Sequence, residues 1–179
     1  PRWIYLSAWG YALKQPGGND VKAREFVSKM YHNVKVMDPA ARASMTTFAE
    51  RGIGDVLLTW ENEAMISKKT LGDKFDIVYP SMSILTEPSV AIVDKTIEKN
   101  GNKWLATGYI NYLYSPLGQD MAARHFYRPR NPQILAKYSK QFPALKTFTI
   151  DEVFGGWAKA QQTHFVNGGM FDQIYNSKR

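Results

Sequence analysis

Cysteine is absent from all 179 positions, so neither a disulfide framework nor a thiolate metal site is available. Histidine is scarce, and His32, His125 and His164 lie far apart in sequence, as structural histidines do rather than a ligand cluster. No metal and no cofactor are therefore expected. No apolar run approaches the length of a bilayer span, which argues against membrane insertion. Pro1-Arg2-Trp3 does not open a secretory signal, so the address of an exported parent protein is expected upstream. The usual starting points for catalysis are missing too: there is no Gly-x-Ser-x-Gly elbow, His-Glu-x-x-His helix, phosphate-binding loop or Cys nucleophile. Glu61 and Glu63 are two apart on a predicted helix and so face different ways. No catalytic residue is assigned, and an enzyme is the disfavoured class.

What is present describes a packed globular protein. Hydrophobic residues make up 44% of the chain and aromatics 13%, with Gly and Pro scattered and no low-complexity stretch. The formal charge of +7 raises the question of nucleic acid. Its distribution answers against it. The first 89 residues hold 11 Lys or Arg against 10 Asp or Glu, and the remaining 90 hold 12 against 6, placed singly along helical segments. No block of like charge is there to grip a phosphate backbone, so the excess reads as a solvated surface and no nucleic-acid partner is expected.

Helical and strand patterns alternate, which predicts an α/β protein with a largely parallel sheet. Residues 3–13 carry apolar side chains at helical spacing and stop before Pro16-Gly17-Gly18. Asn19 or Asp20 caps a second helix through Tyr31. Residues 34–37 read as a short strand. Asp38 as N-cap with Pro39 in the first helical position opens a helix to residue 50 or 51. Gly52 and Gly54 then turn the chain into 55–59, an apolar run suited to a buried parallel strand. A helix follows over 61–69, then strands over 75–79 and 89–93, joined by an extended crossing at 80–88. Further helices are predicted over 103–114, 116–126, 132–141, 157–165 and 170–175.

The run Arg51-Gly52-Ile53-Gly54-Asp55-Val56-Leu57-Leu58-Thr59-Trp60-Glu61-Asn62-Glu63-Ala64 resembles the periplasmic sulfate- and thiosulfate-binding proteins. Tyr5-Leu6-Ser7-Ala8-Trp9-Gly10-Tyr11-Ala12-Leu13, Tyr112-Leu113-Tyr114-Ser115-Pro116, Phe126-Tyr127-Arg128-Pro129-Arg130 and the run from Phe148 to Ala160 agree with the same family, in family order. The resemblance implies periplasmic-binding-protein-like lobes with mainly parallel sheets and the N-terminal part of the fold missing. It divides the chain into a ligand-binding lobe portion at 1–83, a crossover and return at 84–146, and a C-terminal helical segment at 147–179. It implies a monomeric periplasmic receptor that hands sulfate to the permease subunits of an ATP-driven (ABC) importer. The family's Ser-Ser-Gly-Gly-like anion segment should end where Pro1 stands, and an Asp and a Ser of the family site lie farther upstream. A chain lacking those donors is expected to bind weakly or not at all.

Sulfate carries no proton near neutral pH, so a selective site offers donors and no acceptor, whereas phosphate keeps a proton that such a site leaves unpaired. Amides at a helix start have no intrahelical partner and lie at the positive end of the helix dipole. The resemblance assigns two ligand residues: Ala41, through its backbone N–H in Asp38-Pro39-Ala40-Ala41-Arg42, and Trp60, through its indole N–H. Ala40 replaces a Gly that the family often shows. Trp60 ends the predicted 55–59 strand, where open α/β sheets place ligands. An indole donates without accepting. The sulfate branch carries Trp there, and the thiosulfate branch more often Phe. From the residues alone, an ordinary helix start and a core Trp remain the commoner alternatives. Glu61 and Glu63 are placed in the first turn of the next helix, away from the anion. Arg42 is read as a salt-bridge residue, and Arg128 and Arg130 as surface residues beside Pro129.

Overall fold

A computed structural model describes residues 2–177. Pro1, where the family's anion segment was expected to end, lies outside the described residues, as do the last two positions of the 147–179 segment.

The first helix, α1 (Arg2–Leu13), buries Tyr5, Leu6, Trp9, Gly10 and Ala12. The second, α2 (Asp20–His32), starts where the Asn19 side chain accepts the Lys22 amide, and it buries Ala23, Val27 and Tyr31, one residue per turn on one face. These faces pack on each other and on a two-stranded parallel sheet, β1 (Ser83–Ile84) with β2 (Thr147–Phe148). Gly10 is required at that contact, because a β-carbon there would come within 2.4 Å of the Phe148 ring.

Three later helices complete this core: α9 (Ile150–Phe154), α10 (Trp157–Ala160) and α11 (Met170–Asn176). A capping box starts α9, with Thr149 accepting from the Glu152 amide while the Glu152 carboxylate accepts from the Thr149 amide. A π-helical turn, Gln161–Phe165, joins α10 to α11 and carries His164 into the core. The His164 ring is 4% exposed, and its Nδ1 lies 2.9 Å from the Tyr5 hydroxyl. Burial pushes the Tyr5 and Tyr31 phenols up, Tyr31 to about 12. It pushes His164 down, which keeps the ring neutral.

A second, smaller cluster centres on Met65, Ala123 and Phe142. It draws on α4 (Glu61–Leu71), α7 (Pro116–Arg124) and α8 (Pro132–Lys137). The larger cluster thus draws on three sequence-distant stretches, 3–34, 82–84 and 148–174, and the smaller on two, 65–79 and 123–142. The remaining helices are α3 (Ala41–Met45), continued by a π-helical turn Thr46–Glu50, α5 (Asp94–Asn100) and α6 (Lys103–Tyr114). No residue of α6 is buried, and Trp104 is 75% exposed.

The strand expectations need correction. Residues 34–37, 55–59, 75–79 and 89–93 are not strands, and among the described residues only β1 and β2 pair. A strand needs a neighbour to take up its backbone hydrogen bonds. Here Val56 and Val78 lie 78% and 85% exposed on segments without one. The extended 80–88 crossing contains β1. The helix expected to open on Asp38 instead has Ala40 as its extended N-cap (φ −142°, ψ 153°), with Ala41 the first helical residue. The helices expected over 116–126 and 132–141 stop at Arg124 and Lys137. Among the described residues no helix is long and apolar enough to cross a membrane.

Candidate anion-binding site

Ala40 and Trp60 occupy the same position in two helices. Each is an extended N-cap residue with no side-chain cap, one before α3 and the other before α4. The first backbone bonds inside these helices run from the Ser44 amide to the Ala40 carbonyl and from the Ala64 amide to the Trp60 carbonyl, both at 3.0 Å. The amides that precede them, at Ala41, Arg42 and Ala43 and at Glu61, Asn62 and Glu63, have no partner within their helix. Two uncapped, electropositive helix starts result.

The two helices pack together. Arg42, one residue past Ala41, donates through Nε and a terminal nitrogen to both oxygens of Glu63, at 3.0 and 3.3 Å. That bond raises the Arg42 guanidinium above its already high ordinary value. The structure thus joins the segments carrying both expected ligand residues, Ala41 and Trp60. The Trp60 ring is partly buried, and its indole N–H donates to no group among the described residues. Next to it, the Thr59 hydroxyl oxygen is buried without a hydrogen-bond partner.

Glu61 and Glu63 do stand in the first turn of α4. Both are engaged by guanidinium groups. Glu61 receives Arg128, whose Nε and terminal nitrogen reach its two oxygens at 3.0 and 2.6 Å. Arg128 was expected to be a surface residue. It is instead 23% exposed, bonded also to the Pro143 carbonyl at 3.0 Å, with its guanidinium 5.2 Å from the Phe142 ring centroid. Arg130 is exposed and pairs with Glu87. Sequence reading missed the Arg128–Glu61 pair because 67 positions separate the partners and nothing local marks it.

The arrangement offers neutral donors at two helix starts while its carboxylates are tied up elsewhere, which is the chemistry of an anion site without a cationic clamp. The family profile described as "Bacterial extracellular solute-binding protein" matches residues 4–128. The chain belongs to that family. Among solute-binding proteins related to it, the sulfate-binding protein of Salmonella typhimurium is 59% identical over 99% of this chain and 54% of its own length. The thiosulfate-binding protein of Pseudomonas aeruginosa is 51% identical over 98% and 53%. The chain spans about half the length of the curated relatives it matches. The sulfate-binding protein SubI from Mycobacterium tuberculosis shares the fold, with a TM-score of 0.72 at 23% identity, covering 92% of this chain and 55% of that one. The resemblance to sulfate- and thiosulfate-binding proteins and the α/β binding-protein fold are thereby borne out.

Proposed function

We propose that this chain carries part of the sulfate site of a periplasmic solute receptor, with the Ala41 amide and the Trp60 indole N–H as two of its donors. The receptor acts by binding rather than by catalysis. It presents the anion to the permease subunits of an ATP-driven importer and works as a monomer when both lobes are complete. The two hydrophobic clusters are read as the cores of those lobes. The observation that carries the reading is the pairing of two uncapped helix starts with an indole donor that has no other partner. The 59% identical relative is named for the same anion.

Magnitude sets the expected strength. Two hydrogen bonds to a charged group contribute about 3–6 kcal/mol before the cost of association. A millimolar complex corresponds to about 4.1 kcal/mol, so this chain alone is expected to hold sulfate at about 1 mM or more weakly. Equilibrium dialysis with radiolabelled sulfate at fixed ionic strength tests the reading. Saturable retention, displaced by selenate but poorly by phosphate at pH 5, supports it. Saturation at micromolar sulfate, which two donors cannot supply, or displacement by phosphate as easily as by sulfate, refutes it.

A further inference from the structure

We propose that Arg128 is a positioning residue for the anion site, one that fixes the first turn of α4 and with it the ring of Trp60. This rests on the sulfate reading for its functional consequence, though not for its structural one.

Glu61 stands in the first turn of α4. A carboxylate in the first turn of a helix is favoured by the dipole and by the free amides around it. That places a full negative charge one residue from Trp60, where a dianion would be repelled. Arg128 answers this in two ways. Its planar fork takes both Glu61 oxygens, a geometry that lysine does not reproduce. Its remaining contacts, to the Pro143 carbonyl and over the buried Phe142 ring, fix the guanidinium to the smaller hydrophobic cluster. The chain reaches this position through Phe126, two residues past the end of α7 and in the left-handed region at φ 67°. Glu61 is thereby anchored to a packed core, and Trp60 precedes it by one peptide bond. Arg42 grips Glu63 on the other flank but is 71% exposed at its side chain, so water competes with it far more than with Arg128.

Positioning and plain electrostatics predict opposite signs for one substitution. If Glu61 were only a repelling charge, Glu61→Gln would tighten sulfate binding. As an anchor its neutralisation loosens Trp60, and binding weakens.

The test uses the full chain with its tryptophan indoles labelled with nitrogen-15, the Trp60 signal being assigned by its loss in Trp60→Phe. Relaxation should give the Trp60 indole an order parameter near 0.85 in the wild type, falling below about 0.6 in Arg128→Lys and in Glu61→Gln. The indole of Trp9, buried in the other cluster, should not change. Sulfate titrations of the same samples should show about tenfold weaker binding in both variants. An unchanged Trp60 order parameter, or tighter sulfate binding by Glu61→Gln, would overturn the proposal. A wild type that responds to phosphate as readily as to sulfate refutes the receptor reading instead, and the relaxation data still decide whether Arg128 positions Trp60.

Discussion

Arg42 holds both oxygens of Glu63, at 3.0 and 3.3 Å, and so joins the helix that starts at Ala41 to the one that starts after Trp60. The pair links two helix starts and engages one carboxylate beside the proposed anion site. Glu63 is 15% exposed at its side chain and Arg42 71%, so solvent screens the pair and its effect on overall stability should be small. Arg42→Ala is expected to lower the denaturation midpoint hardly at all while weakening sulfate retention severalfold. A large loss of stability with unchanged retention would show that the pair serves the fold rather than the site.

Trp60→Phe keeps the ring and removes the donor. Losing one hydrogen bond to a charged group costs about 1.5–3 kcal/mol, so sulfate affinity should fall about tenfold to a hundredfold. Dialysis on the variant reads this directly. Affinity equal to wild type would mean that the indole N–H does not meet the anion.

His164 makes the larger core sensitive to acid. Burial lowers its folded value, while nearby Asp20 acts weakly the other way. The ring shares a hydrogen bond with the Tyr5 hydroxyl through Nδ1 and is enclosed by Trp9, Phe154 and Phe165, away from the water that would solvate its charged form. An unfolded histidine titrates near about 6.5. Above that value both states are neutral and the stability is fully present. As pH falls below it the unfolded state binds the proton first, so stability drops until the folded ring titrates as well. Urea unfolding at pH 7.5 and 5.5 should show this decline, and His164→Gln should remove most of it. A slope equal in the two proteins would assign the acid sensitivity to other groups.

Gly10 is fixed by packing rather than by backbone conformation. Alanine would favour the helix by up to about 1 kcal/mol, but its β-carbon would strike the Phe148 ring at 2.4 Å. Overpacking costs about 1–3 kcal/mol and should win. Gly10→Ala is expected to be destabilised, and Phe148→Leu in the same chain should recover part of the loss. Stability at or above wild type for the single variant would show that the sheet yields at little cost.

The unpaired extended segments carry a physical consequence. Val56, Leu58 and Val78 are exposed on backbone without a strand partner, and α6 exposes Trp104 and Tyr109. Open edges and apolar patches of this kind favour association, which a net charge of +7 opposes at low salt. Sedimentation velocity should show association that grows with protein concentration and strengthens between 50 and 500 mM salt, values chosen to bracket a Debye length of about 10 Å. A monomer at all concentrations and both salts would contradict this.

Much of the helical framework was legible in the chain. The helices capped near Asn19 and beginning at Pro116 and Pro132 start where the sequence predicts. The strands were legible only as tendencies. The run Asp55-Val56-Leu57-Leu58-Thr59 has the composition of a buried strand, but pairing is a property of two segments, and no described residue pairs with it. β1 escaped notice because two residues are too short to show a period. The π-helical turns left no pattern either, which concealed how His164 enters the core. At the site, Ala41 and Trp60 were reached by resemblance, and the structure places them at equivalent ends of neighbouring helices. Arg128 was not, since its link to Glu61 exists only once the chain is folded.

The central claim is that one anion meets the Ala41 amide and the Trp60 indole at once. Nuclear magnetic resonance titration with sodium sulfate, against sodium chloride at equal ionic strength, tests it most directly. The account predicts that both signals move along sulfate-specific curves with a single shared dissociation constant near or above about 1 mM. Movement of one signal without the other, or equal shifts with chloride, would contradict it.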